Sequence, residues 1–126
     1  MSQKGILGLL HRRVIKTTIH SMQGLTASFK SQEAFRCEVA ALMVLVPAAF
    51  WIATDSLQLL MLLGVILIVL IVELLNTGIE IVVDRIGLEF NELSGRAKDV
   101  GSAAVLMSLL LFLLVWGVIL YENVFL

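Results

Sequence analysis

Three stretches without a charged residue, 39–54, 56–72 and 100–121, hold 16, 17 and 22 residues, and they constrain this chain more than any motif does. Crossing the hydrocarbon core of a bilayer takes about 20 apolar residues in a helix. The third stretch is long enough as it stands. The first two reach that length if one helix begins near Glu38 and the next continues through Glu73 and Glu80 to Asp84, which places those carboxylates at the membrane edge and beyond it. Three spans are therefore expected, over 38–54, 56–84 and 98–121, with a loop over 85–97. Pro47 falls inside the first, where a kink is tolerated because packing partners satisfy the freed carbonyl. Composition agrees: 60% of the residues are hydrophobic and mean hydropathy is +1.02, against about 45–50% apolar in soluble domains. A chain of 126 residues is expected to form one all-α integral membrane domain.

Charge orients the spans. Six of the nine Lys and Arg (Lys4, Arg12, Arg13, Lys16, Lys30, Arg36) precede the first span, and Arg85, Arg96 and Lys98 follow the second, whereas the short turn at Asp55 has no base. The positive-inside rule makes the N-terminus and the 85–97 loop cytoplasmic, and the Asp55 turn and the C-terminus external. About 38 residues precede the first apolar run, so no signal peptide is expected, and Ser2 in place of Gly argues against myristoylation. A net charge of -1 and the lack of a basic, aromatic-lined groove exclude a nucleic-acid partner. The lone Cys37 excludes an intrachain disulfide and a cysteine metal cluster.

Residues 1–37 carry a pattern of their own. Ile6, Leu9, Leu10 and Val14, then Ile19, Met22, Leu25 and Phe29, recur every three or four residues among basic and hydroxyl side chains. That spacing predicts an amphipathic helix lying along the cytoplasmic interface, with Gly24 or Ser28 as a break.

Within the second span, ELLNTGIEIVVD (73–84) raises the question of chemistry. At about 100° per residue, Glu73, Asn76, Glu80 and Asp84 stand at about 0°, 300°, 340° and 20°, on one narrow stripe of a helix. Such a stripe suits a hard divalent cation and a proton acceptor together, or it pairs with Arg and Lys of a neighbouring helix. A second constellation, NELSGRAKDVGSAAV (91–105), runs into the third span. Its small residues permit close approach, and Lys98, Asp99 and Arg96 stand beside a helix start whose amides suit a phosphate. A cap with Lys98 snorkelling to the surface accounts for the same residues. There is no GxxxxGK[ST], GxGxxG, HRD or DFG element, so a nucleotide would be handled by some other architecture.

ELLNTGIEIVVDRIG followed by NELSGRAKDVGSAAV closely resembles the signature of the small prokaryotic diacylglycerol kinase family, of the Gram-negative type, and the likeness extends back through EAFRCE and RVIKTTIHSMQGL. The resemblance implies a homotrimeric bundle in the bacterial inner membrane, each subunit with a surface helix and three transmembrane helices. It implies transfer of the γ-phosphoryl group of MgATP to diacylglycerol, giving phosphatidic acid. Glu73 matches the catalytic base, Glu80 a ligand of the Mg²⁺ on ATP, and Asn76, Lys98 and Asp99 further catalytic positions. Arg13, Lys16, His20, Glu89, Asn91, Lys98 and Asp99 match nucleotide contacts, while Glu73, Asp84, Gly95 and Ser102 match positions that meet the lipid substrate or otherwise border the active site. Some positions depart from the family's pattern. Gln32 stands where a second metal-binding Glu is usual, and Glu33, one residue on, is turned about 100° away on a helix. His20 stands where Tyr is common and Asn91 where His is common. Phosphorylation of undecaprenol, by other members of the same family, is the alternative within it. A small proton-coupled transporter with a working membrane carboxylate is the alternative from another class.

Overall fold

The computed structural model describes residues 3–126, with side chains from Gly5 onward; Ser2 and the side chain of Lys4 lie outside the described part. Four helices follow one another: α1 (Gln3–Ser31), α2 (Glu33–Ile52), α3 (Ser56–Ile86) and α4 (Glu92–Phe125). The chain divides into two compact units, Met1–Arg36 and Cys37–Leu126.

In the N-terminal unit α1 runs unbroken through Gly24 and Ser28, contrary to the expected break. Thr18, Thr26 and Ser31 return their hydroxyls to the carbonyls of Val14, Met22 and Ala27 at 2.7–2.8 Å, so these residues sit in the helix without competing for its backbone. The apolar set from Ile6 to Phe29 is exposed in this unit taken alone. The interruption comes instead at Gln32, between α1 and α2. Arg36 Nη1 donates to the carbonyls of Phe29 and Lys30 at 3.0 Å, a cationic cap on groups that a helix end leaves unpaired.

The second unit comprises the rest of α2 with α3 and α4. Its three helices are each long and apolar enough to cross a membrane. At 31 residues, α3 extends about 47 Å against a hydrocarbon core of about 30 Å, so its polar C-terminal turns stand outside the lipid core when its apolar part spans it. Asp55 starts α3 by accepting a hydrogen bond from the Gln58 N–H at 2.8 Å. Asn91 starts α4 in the same way, accepting from Leu93 and Ser94 at 2.9 and 3.2 Å.

Helices α3 and α4 pack antiparallel. Gln58 meets Asn123 at one end, Trp116 donates its indole N–H to the Leu62 carbonyl at 3.2 Å in the middle, and Asp84 meets Lys98 at the other end. The core gathers Ala49 of α2, Leu62, Val65 and Ile66 of α3, and Trp116 and Ile119 of α4. Phe112 stacks on Trp116 with ring centroids 5.3 Å apart. This apolar middle holds two polar ends at fixed register, and the ends differ in kind.

Candidate functional site

Because α3 is continuous over Ser56–Ile86, Glu73, Asn76, Glu80 and Asp84 do share one face, and their partners come from both neighbours. At its lower end Asp84 accepts a hydrogen bond from Lys98 Nζ at 2.6 Å. Both side chains are about half exposed, so the pair is wet and accessible. An ammonium has three donors, and Asp84 engages one of them. Glu80 is the next carboxylate whose charge acts on Lys98.

Around this pair lies a cleft of about 180 Å³ lined by Val83 and Asp84 of α3, the connecting residues 87–91, and Ser94, Gly95 and Lys98 of α4. It gathers five residues predicted from the sequence: Asp84, Glu89, Asn91, Gly95 and Lys98. Asp99 and Ser102, the next predicted residues on α4, are exposed and stand outside the cleft lining. The helix start differs from the sequence expectation of free amides. Asn91 Oδ1 occupies the N–H groups of Leu93 and Ser94, and the Gly95 N–H bonds to the Asn91 carbonyl at 2.9 Å. Positive charge in this cleft therefore comes from the Lys98 side chain. Arg96 makes only a long, exposed pair with Glu92 at 3.9 Å.

One to two turns higher, Asn76 Nδ2 donates to Glu80 Oε1 at 3.3 Å. Asn76 Oδ1, in contrast, is buried without a hydrogen-bond partner and lies against the buried Gly101 of α4. Higher still, the half-buried Glu73 has the Glu38 carboxyl of α2 beside it, and Glu38 Oε2 is likewise buried with no partner. An apolar cleft of about 160 Å³ opens next to it, with Glu38 as its one ionisable wall residue among Ala41, Leu45, Val69 and Leu109.

Glu38 is not among the site residues expected from the sequence, and Gly101 belongs there only to the small residues that permit close approach. A signal existed for Glu38: it directly precedes the first uncharged run, and an ionisable group at that depth needs a partner or a task. The sequence pattern accounts for it as a helix start. The contact at Gly101 depends on the register between α3 and α4, which no local pattern encodes.

Arg13, Lys16, His20, Gln32 and Glu33 belong to the N-terminal unit, where all but the half-buried Gln32 are exposed. Among the described residues no three His, Cys, Asp or Glu side chains converge on one point. A hard cation that keeps its waters and nucleotide oxygens needs only one or two carboxylates. Glu80, whose second oxygen is left free by Asn76, fits that requirement.

A sequence model of the prokaryotic diacylglycerol kinases matches residues 19–120. The chain belongs to the prokaryotic diacylglycerol kinase family. Among its relatives, the diacylglycerol kinase of Escherichia coli is 43% identical over 111 residues, covering 88% of this chain and 91% of that protein. The Haemophilus influenzae diacylglycerol kinase is 44% identical over 114 residues, with 90% and 95% covered. The Helicobacter pylori diacylglycerol kinase is more distant, at 35% over 106 residues, with 84% and 83% covered. All stretches that line the two clefts described above, from Glu38 to Phe112, fall within the matched region of this diacylglycerol kinase family.

Proposed function

We propose that the protein is an ATP-dependent lipid kinase that phosphorylates diacylglycerol to phosphatidic acid. The observation that carries this reading is the family match over residues 19–120, with relatives above 40% identity that bear the name diacylglycerol kinase. The arrangement on α3 and α4 suits the chemistry. In phosphoryl transfer the lipid hydroxyl oxygen attacks the γ-phosphorus, the bond to the β–γ bridging oxygen breaks, ADP leaves, and the hydroxyl proton passes to a base. The protein's part is alignment and charge stabilisation.

In this reading Glu73 accepts the hydroxyl proton, at the level where α3 passes from apolar to polar residues. The apolar cleft beside Glu38 suits the hydrocarbon part of the lipid next to that base. Asn76 orients Glu80, and Glu80 would ligate Mg²⁺, with Gln32 or Glu33 as the second protein ligand that the family pattern offers. Bound there with ATP, Mg²⁺ would neutralise phosphate charge. Lys98, aimed by Asp84, contacts the phosphates through the donors that Asp84 leaves free, with Asp99 beside it. Glu89, Asn91, Arg13, Lys16 and His20 complete the nucleotide side, and Gly95 and Ser102 are further positions of the site.

The amphipathic pattern of 1–37 supports α1 as a surface helix, and the charge bias supports a cytoplasmic N-terminus and active site with an external C-terminus in the bacterial inner membrane. A homotrimer would cover carboxylates that three thin helices leave half exposed.

The test is transfer of labelled γ-phosphate from MgATP to diacylglycerol and to undecaprenol by the purified chain in mixed micelles. Labelling of diacylglycerol with a clear preference is the expected result. Preferential labelling of undecaprenol would move the substrate to the other lipid alcohol of the family, and labelling of neither would remove the kinase reading.

A further inference from the structure

Gly101 is the one glycine of α3 and α4 whose missing side chain matters to its neighbours. The others in these helices, Gly64, Gly78, Gly95 and Gly117, have nothing within 4 Å of where a Cβ would stand. At Gly101 a methyl group would overlap Asn76 Oδ1, come within 3.3 Å of its Cγ and reach 3.7 Å from Ile79 Cδ1. Asn76 is therefore seated on bare α4 backbone.

The seat determines which way the amide faces. A carboxylate repels an amide oxygen and accepts from an amide nitrogen, so the hydrogen bond to Glu80 requires Nδ2 toward Glu80. That orientation turns Oδ1 toward α4, where it is buried without a conventional partner. Only a residue without Cβ leaves room for it there. A Cβ there requires the Asn76 amide to turn or α4 to move, and either response displaces Nδ2 from its 3.3 Å bond to Glu80.

We propose that Gly101 is a positioning residue of the kinase: it holds Asn76 in the one orientation that fixes the Glu80 carboxylate. The proposal rests on the reading of Glu80 as the residue that meets the nucleotide's metal. It assigns a function to a helix–helix contact that would otherwise pass for tight packing of small residues.

The experiment is a double-mutant cycle on the full chain with Gly101→Ala, Asn76→Ala and the double variant, measured in mixed micelles. Two quantities are read: kcat with ATP and diacylglycerol, and affinity for the Mn²⁺ complex of a non-hydrolysable ATP analogue by electron paramagnetic resonance. Gly101→Ala is expected to lower kcat by about 100-fold, as misplacement of a catalytic group by an ångström does, with the KM for diacylglycerol little changed. The double variant is expected to match Asn76→Ala to within about twofold, because the seat has no use once its occupant is gone. Mn²⁺–nucleotide affinity should fall alike in all three variants. Penalties that multiply would overturn the proposal. If Gly101→Ala does not fold, the double variant must fold, since truncating Asn76 removes the overlap; failure of both also overturns it. A Glu80→Gln control separates the two readings. Unchanged Mn²⁺ affinity in that control removes the metal role of Glu80, while the kcat cycle still decides whether Gly101 acts through Asn76.

Discussion

The two polar ends of the α3–α4 pair are built from similar residues and treated in opposite ways. At the Asp55 end, Asn123 Nδ2 donates to the Ile52 carbonyl at 2.8 Å and to Gln58 Oε1 at 2.9 Å. The same Gln58 oxygen accepts from the Thr54 backbone N–H and hydroxyl, both at 3.0 Å. Asp55 caps α3 beside them. At the other end Asn76 Oδ1 and Glu38 Oε2 are buried without partners, and Lys98 keeps donors beyond the one held by Asp84. Buried polar groups are almost always satisfied, so an end that satisfies its own groups is structural, and one that leaves them open is arranged for something else. That contrast supports the proposed assignment of the Glu73–Lys98 end as the working one, on grounds other than sequence similarity.

Substitutions at the two ends should move different quantities. The largest effect is expected at Glu73: Glu73→Gln, which keeps shape and removes the proton acceptor, should lower kcat by about 10³-fold, near the middle of what a general base contributes, with thermal stability unchanged. Lys98→Met comes next, keeping the stem and removing the ammonium. A loss of about 100-fold in kcat/KM for ATP is expected, comparable to removal of one donor from a developing charge, and full activity would show that the Asp84–Lys98 pair is only a helix tie. At the other end, Asn123→Ala should leave kcat within about twofold of wild type and lower unfolding stability by about 1–2 kcal/mol, because it strips partners from the Ile52 carbonyl and Gln58. Asp55→Ala is the smallest, costing about 1 kcal/mol through loss of the α3 cap. Both are read by denaturation in detergent. Loss of activity without loss of stability in either of the last two would erase the distinction between the ends.

Much of this could be read from residue order, for reasons that are local. A run of apolar residues reports a membrane helix because backbone and lipid physics demand it, and the carboxylate stripe is legible because helical periodicity is regular. The Asp84–Lys98 meeting was foreseeable only as two separate motifs; the antiparallel return of α4 along α3 makes them one site. Three features lay beyond local reading. The continuity of α1 past Gly24 and Ser28 reflects the tolerance of a long helix for small residues. The capped N–H groups of Leu93 and Ser94 depend on Asn91 turning its side chain inward, which removes the amide phosphate site that the sequence suggested. Gly101 and Glu38 acquire meaning only from the residues across from them on another helix.

The most direct test of the contrast sets Glu73→Gln and Asn123→Ala side by side, measuring kcat for diacylglycerol phosphorylation and the melting temperature of each in the same detergent. The expected result is crossed: Glu73→Gln melts with wild type and is nearly inactive, and Asn123→Ala melts several degrees lower and turns over normally once folded. If the two variants lose activity and stability together, the ends are not specialised and the assignment of the Glu73–Lys98 end as the working site is wrong.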